Sequence, residues 1–479
     1  MKTKNFISNV AFLIFLNVIV KPFWVFGIDR TVQNTVGAED YGTYFALLNF
    51  TLLFQILLDF GINQFNNRAV AQNHERLNRY LPNILLIKIG LSAIYLILCV
   101  SGAYWLQYDS FQIHLLFWLC FNQIMASFVL YFRSNLSGLH FFKKDSIVSV
   151  MDKGLMIVIC GILLWASFSP SPFRIEWFVY AQTLAYFLAA LGSFWMVFGV
   201  ATNLQFKLDI SLIRSIFKES YPYALAVLLM SIYYRVDGVM LEFMLKENGA
   251  KETGIYAAAF RLLDVVNMFA LMFANVLLPM FARMLAQKED VNSLVGLSSA
   301  VLYTFGSAGA IHCFVFSDWV MQWLYVEYTP YYGQIFAYLI LSFIPISITY
   351  TFGTLLTANG SMKVFNGIAL SGMLLNIGLN SWLIPTQQAF GATIATLVTQ
   401  GLVGFLCLVF AIRIVELKVK WQAVLKVICY FLICWSIAYI ASNLGLDWRI
   451  NMVIGIFSCL VAALGIGLLK WKNIAGIIS

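Results

Sequence analysis

Apolar runs of about twenty residues, separated by short polar stretches, recur along the whole chain, and each is long enough to cross a bilayer core as a helix. They predict spans at 6–29, 42–65, 81–106, 111–132, 147–168, 177–200, 221–245, 254–282, 294–316, 332–357, 364–384, 389–412, 422–443 and 450–469. That pattern gives fourteen transmembrane helices in an all-α polytopic membrane protein, since a backbone crossing lipid must satisfy its own hydrogen bonds. The division between the third and fourth spans rests only on the stretch QYDS at 107–110.

Basic residues test this topology independently, because cytoplasmic loops are rich in Lys and Arg. Twenty of the thirty fall on the side of the N-terminus, among them Arg68, Arg76, Arg79, Lys143 and Lys144. Five fall on the other side: Arg30, Arg174, Lys246, Lys251 and Arg449. The last five, Lys21, Lys88, Lys153, Arg235 and Arg261, lie within spans. Both termini are thereby expected in the cytoplasm. The N-terminal apolar run has no small-x-small cleavage site and continues through KPFWVFG, so it reads as a retained first span.

Composition closes off other classes. With 61% hydrophobic and 11% charged residues, no stretch remains for a separate soluble domain. A formal charge of +8 raises nucleic acid as a partner, but the basic residues form no continuous stripe. The eight cysteines all fall in apolar runs without a CxxC pair and read as packing residues, and His74, His114, His140 and His312 show no ligand spacing. No metal or other cofactor is expected.

An internal repeat then divides the chain. GAEDYGTYFALLNFTLLFQ from residue 37 matches GAKETGIYAAAFRLLDVVN from residue 249, with the shared frame GAxxxGxY opening the second and eighth spans. A weaker echo pairs FFKKDSIVSV at 141 with SMKVFNGIAL at 361. Six intervening spans, an even number, predict a parallel repeat about an axis along the membrane normal. The expected layout is a six-helix bundle at 1–205, a second at 206–416, and two additional C-terminal helices at 417–479.

The chemistry that hydropathy cannot explain lies in the seventh and eighth spans, which carry Arg235, Asp237, Arg261 and Asp264. Each ionised side chain in the middle of a lipid-embedded helix costs about 2.5–3.5 kcal/mol, so such residues mark a lumen, a pathway or a paired site. Residues on antiparallel helices lie level when their numbers share a sum, which matches Arg235 with Asp264 and Asp237 with Arg261. Arg235 is expected about 15 Å below the outer helix end. Lys21 precedes Pro22 in the first span, about 12 Å from the outer end of that span, where the proline frees a carbonyl and permits a bend. Asp59 near the inner end of the second span reads equally as an ion-coupling carboxylate or a helix-end group. Lys88, Asp152 and Lys153 lie near the inner face and are expected to snorkel. The tyrosine cluster YVEYTPYYG at 325–333 reads as an interface belt sooner than as a sugar-stacking platform.

Three stretches carry a family resemblance: TVGAEDYGTYFALLNFTLLFQILLDFGINQF, RVDGVMLEFMLKENGAKETGIYAAAFRL and NVLLPMFARML. The chain resembles the polysaccharide, or O-antigen, lipid flippases of the multidrug/oligosaccharidyl-lipid/polysaccharide (MOP) exporter superfamily, with its MATE-like fold. The resemblance implies transport, not catalysis. Its cargo would be an undecaprenyl-diphosphate-linked oligosaccharide, moved from the cytoplasmic to the periplasmic leaflet of the bacterial inner membrane by alternating access through a central cavity.

The resemblance also implies a monomer acting beside polysaccharide polymerase and chain-length machinery. Arg235, Arg261 and Lys21 would be the cavity cations and Asp237, Asp264 and Asp59 the paired or coupling carboxylates. Two roles for the central charges stay open: static clamps between spans, or arginines that exchange a carboxylate for the lipid diphosphate. The sequence has no GxxxxGK[ST] loop for ATP, leaving the membrane potential, protons or sodium to drive transport. A peptidoglycan-precursor flippase and a cation-coupled multidrug antiporter are the neighbouring alternatives.

Overall fold

The computed structural model describes residues 16–17, 19–165, 172–200, 210–418 and 421–469. The predicted start of the first span at residue 6, the predicted boundary at 205/206, and Lys2, Lys4, Lys207, Lys420, Lys470 and Lys472 lie outside them. Among the described residues every regular element is helical. Ten helices are long and apolar enough to cross a membrane, or eleven when a pair bent by 53°, Ile19–Leu53 with Gln55–Gln72, counts as one span.

Packing divides the chain into two compact units, Met1–Gly254 and Ile255–Ser479. In the first, a π-helical turn at Trp24–Asp29 leads into α1 (Arg30–Leu53). There follow α2 (Ile62–Gln72), α3 (Arg76–Trp105), α4 (Ser110–Gly138), α5 (Phe142–Trp165), α6 (Ile175–Phe198) and α7 (Ile210–Leu245). Its core joins α2 through α6, with Ile62, Leu81, Tyr131, Leu136, Val148 and Ala189 all fully buried.

The next helix, α8 (Gly249–Ala286), begins in the first unit. The second unit continues with α9 (Asn292–Val315), α10 (Ser317–Leu324), α11 (Pro330–Leu341), α12 (Phe343–Ala358), α13 (Met362–Val415), α14 (Trp421–Ser442) and α15 (Trp448–Gly465). The last two pack on α9 through Ala308, Ile311, Tyr430, Cys434, Cys459 and Ala463. Small side chains at that seam let backbones approach where no hydrophobic drive separates lipid from protein. The cysteines are free; six are buried, Cys313 is half-buried, and Cys429 is exposed, so it does not pack as expected.

The helix breaks correct several predicted boundaries. The first helix does not stop at 29: it runs through Asp29 and Arg30 as far as Gly37, whose φ of 85° interrupts α1. Polar residues stay helical there because they have partners. Asp29 accepts from the Tyr41 hydroxyl at 2.7 Å, and Gln33 donates to the Gly254 carbonyl at 2.9 Å. Lys21 is therefore about 23 Å from the Gly37 break that ends its helix, roughly twice the predicted distance to a helix end.

The second predicted span is also not continuous. After Leu53 the chain tightens into a 3₁₀ turn, Gln55–Leu58, and passes through Phe60 and Gly61 at φ 46° and 79° before α2 starts. The 54-residue α13 contains a break at Gln388, φ 55°, so the eleventh and twelfth predicted spans are joined through a kink. Tyr331 bridges that kink, accepting from the Phe390 N–H at 3.2 Å and reaching the Gln387 carbonyl at 3.5 Å.

At QYDS the chain does turn, with Gln107 at φ 58°. Asp109 then starts α4 with a capping box, accepting from the Gln112 N–H at 2.7 Å while the Gln112 Oε1 accepts from the Asp109 N–H at 3.0 Å. Asp109→Ala is expected to cost about 1 kcal/mol, read as a lower melting temperature of the detergent-solubilised protein.

The two copies of GAxxxGxY touch each other. A Cβ on Gly42 would overlap the Ala250 carbonyl oxygen, and a Cβ on Gly254 would overlap the Ala38 carbonyl oxygen. The contact is reciprocal: the second glycine of each copy lies on the alanine carbonyl of the other. Only a residue without a side chain permits this approach, which brings Cα–H groups against carbonyls as at other close helix crossings.

Candidate functional site

Four charged positions singled out from the sequence lie on α7 and α8. Arg235 is ten residues before the end of α7, half-buried, with its guanidinium 5.0 Å from the Tyr234 ring and Nη1 3.5 Å from Asn49 Oδ1 on α1. Asp237 is buried, at 1% exposure. Gly238, next to it, lies flush against Asn49 and Phe45, so α7 is held tightly on α1. Arg235 and Asp237 belong to the first unit. Arg261 and Asp264 belong to the second, half-buried and three residues apart on α8, close to one face.

Lys21 meets a cluster that the sequence did not announce. Pro22 is followed by the π-helical turn Trp24–Asp29, a widening typical of functional sites and kinks. Trp24 stacks on Phe178 at 5.7 Å, and Phe178 meets Tyr44 edge-on at 5.2 Å. Gln182 donates to the Tyr44 hydroxyl at 2.9 Å. Over the other side of Trp24 sits the Lys153 ammonium, 5.4 Å from the ring, donating to the Tyr186 hydroxyl at 3.0 Å and 3.4 Å from Asp152. Lys21 shares the field of Asp152, Lys153 and Arg133. Lys153 does not snorkel as predicted: it turns inward because an aromatic face and a phenol hydroxyl give its charge better company than the lipid interface.

A second unannounced site lies at the break after Leu53. Lys88 is 1% exposed. Its ammonium donates to the Leu58 carbonyl at 2.7 Å and to the Ser127 hydroxyl at 2.6 Å, and sits 5.9 Å from the rings of Phe128 and Tyr131. The snorkelling expectation fails here for a geometric reason. Helix α3 begins at Arg76 and not at 81, which sets Lys88 about 18 Å along it, further than a lysine side chain reaches. Unwinding the second span frees a carbonyl, and Lys88 satisfies it. Asp59 stands in the same break, where its Oδ1 accepts from the Asn63 N–H at 3.1 Å; it holds the start of α2.

The tyrosine cluster is partly internal, with Tyr328 and Tyr331 half-buried. Tyr325 and Tyr332 are buried, Tyr325 donates to the Ala258 carbonyl at 3.1 Å, and Tyr328 donates to Asp318 at 2.9 Å. Among the described residues no group of three or more His, Cys, Asp or Glu is placed to hold a metal ion.

Comparison with known proteins places this arrangement. A family model described as polysaccharide biosynthesis protein matches residues 6–285, more than half of the chain. The chain belongs to the polysaccharide biosynthesis protein family. All but the first five residues of the first unit of this polysaccharide biosynthesis protein, the cation–aromatic cluster and the broken second span included, fall inside the match.

Among solved structures, it is similar to the lipid II flippase MurJ in an inward closed conformation, with TM-score 0.71 and 13% identity over 94% of this chain and 98% of that one. It is similar to an inward-facing multidrug resistance MATE family transporter of the MOP superfamily, TM-score 0.65 and 13% identity over 84% and 94% of the two chains. A MOP superfamily transporter from Pyrococcus furiosus gives 0.61 and 13% over 86% and 95%. No curated protein matches the sequence. At this identity the likeness establishes the fold alone. This polysaccharide biosynthesis protein is a multi-pass membrane protein with the fold of MOP-superfamily transporters, as the resemblance in its sequence implied.

Proposed function

We propose that this protein is a flippase. It carries an undecaprenyl-diphosphate-linked oligosaccharide, the repeat unit of an O-antigen or exopolysaccharide, from the cytoplasmic to the periplasmic leaflet of a bacterial inner membrane by alternating access. The observation that carries the reading is the family match over residues 6–285. The chemistry supports it. Lys21 and Lys153 share one electrostatic neighbourhood next to Trp24 and Tyr186, a pairing of cations with aromatic faces that suits a diphosphate joined to sugars.

Arg235 and Arg261 supply planar forks for the same anion, with Asp237 and Asp264 as their resting partners and Asp59 as a candidate coupling carboxylate. Protons, sodium or the membrane potential supply the drive, the last at about 2.3 kcal/mol per charge per 100 mV. Fourteen crossings with both termini cytoplasmic is our reading of the topology. That number counts Tyr221–Ala286 and Met362–Val415 as two crossings each and the two arms of the bent pair Ile19–Leu53 and Gln55–Gln72 as one each, which takes the ten to fourteen. The proposed partners remain the polymerase and chain-length machinery. A second reading, flipping of a peptidoglycan precursor, is favoured by the likeness to a lipid II flippase.

Arg235→Ala or Arg261→Ala is expected to abolish surface polysaccharide while the protein stays in the membrane, with lipid-linked units accumulating on the inner leaflet. Lys153→Gln is expected to lower export in the same assay. Normal export by both arginine variants would return those residues to the role of static clamps. Complementation of a lipid II flippase deletion, without rescue of surface polysaccharide, would favour the second reading.

A further inference from the structure

Glu242 lies one turn before the end of α7, at 7% exposure. It is not among the residues that hydropathy and helix register singled out. Its Oε1 accepts from Gln112 Nε2 at 2.9 Å, and its Oε2 has no hydrogen-bond partner among the described residues. The Gln112 amide has no freedom to leave, because its own Oε1 is held in the capping box of α4. The Tyr108 hydroxyl, 9% exposed, is a second buried polar atom without a partner, and it lies in the field of Glu242. Gly249 seats the start of α8 on the Glu242 backbone, since a Cβ there would overlap the Glu242 carbonyl oxygen.

A carboxylate withdrawn from water needs several donors to remain charged, and this one has a single amide. The neutral acid has an O–H to donate while still accepting from Gln112, and a phenol hydroxyl can serve it as donor or acceptor. A metal cation fits less well. A hard ion asks for a cage of oxygens, whereas no group of three or more His, Cys, Asp or Glu is placed to hold one among the described residues. The ionisable groups whose fields meet it are Tyr108 and Asp109, just before α4; those nearest in sequence are Lys246 and Glu247 in the turn after α7 and Lys251 and Glu252 at the start of α8. None of these donates a hydrogen bond to Oε2.

We propose that Glu242 is a proton-binding site of the first unit, in exchange with the solvent. The proton itself does not depend on the flippase reading; its use in driving transport would.

The test is infrared difference spectroscopy on the full-length protein in lipid, stepped between acid and alkaline pH, with proton release after the step counted by a soluble dye. Wild type is expected to show a carboxylic-acid carbonyl band that Glu242→Gln lacks, and Glu242→Gln to release one proton fewer. Tyr108→Phe is expected to shift the band without removing it. Glutamine keeps the acceptor for Gln112, and an unchanged melting temperature certifies the fold. Equal spectra and equal proton counts in wild type and Glu242→Gln would overturn the proposal, whether or not the protein moves a lipid-linked sugar. If the band is confirmed but transport in vesicles responds to a proton gradient equally in both proteins, the site stands and its part in coupling falls.

Discussion

Gly42→Ala and Gly254→Ala are each expected to destabilise the protein by about 3 kcal/mol, the upper end for an overpacked site, read as a large fall in melting temperature in detergent. The new methyl would meet backbone, the Ala250 carbonyl in one case and the Ala38 carbonyl in the other. A side chain relieves such a clash by changing rotamer. A helix carbonyl moves only with its helix, so the whole crossing must open. The same reasoning predicts that the double variant costs clearly less than the two single costs added, because one opening of the crossing accommodates both methyls. Small additive effects would mean that the two copies are not seated as tightly as their geometry requires.

Lys88→Met is expected to cost about 2–3 kcal/mol, and the sign deserves argument because removing a buried charge also removes its desolvation cost. The deciding group is the Leu58 carbonyl. It belongs to unwound backbone at a depth where no water replaces a lost donor, and charge-assisted bonds are the strong ones. The Ser127 hydroxyl also donates to it, at 3.0 Å, so Lys88→Met leaves one donor and Lys88→Met with Ser127→Ala leaves neither. Hydrogen exchange should rise at residues 54–61 in Lys88→Met and more in the double variant, with little change in α5 and α6. Unaltered exchange in that segment would show that the break holds itself without the lysine.

These two sites also show what the sequence could and could not convey. Hydropathy located the apolar segments, and the shared GAxxxGxY frame pointed to the residues that meet at the crossing. Arg235, Asp237, Arg261 and Asp264 were legible as charges set within long apolar runs. Lys88, Lys153 and Glu242 were misread or overlooked because hydropathy reports depth along a helix and not direction around it. On a helix that is apolar on every side, a lysine facing lipid and a lysine facing a neighbour's carbonyl look the same.

The breaks were hidden for a related reason. Gln388 is held out of line by Tyr331, which is 57 residues away in sequence. The first helix keeps Asp29 and Gln33 helical through Tyr41 and Gly254, partners that only folding supplies. Local pattern placed a loop at 30–41, where tertiary hydrogen bonds keep most of the chain wound.

The reciprocal seat of Gly42 and Gly254 bears on how the two GAxxxGxY segments can change. At this crossing each copy is the mould of the other, so a side chain gained by either glycine is a misfit in both. A change at either glycine is therefore open only together with a change in the backbone on which it rests.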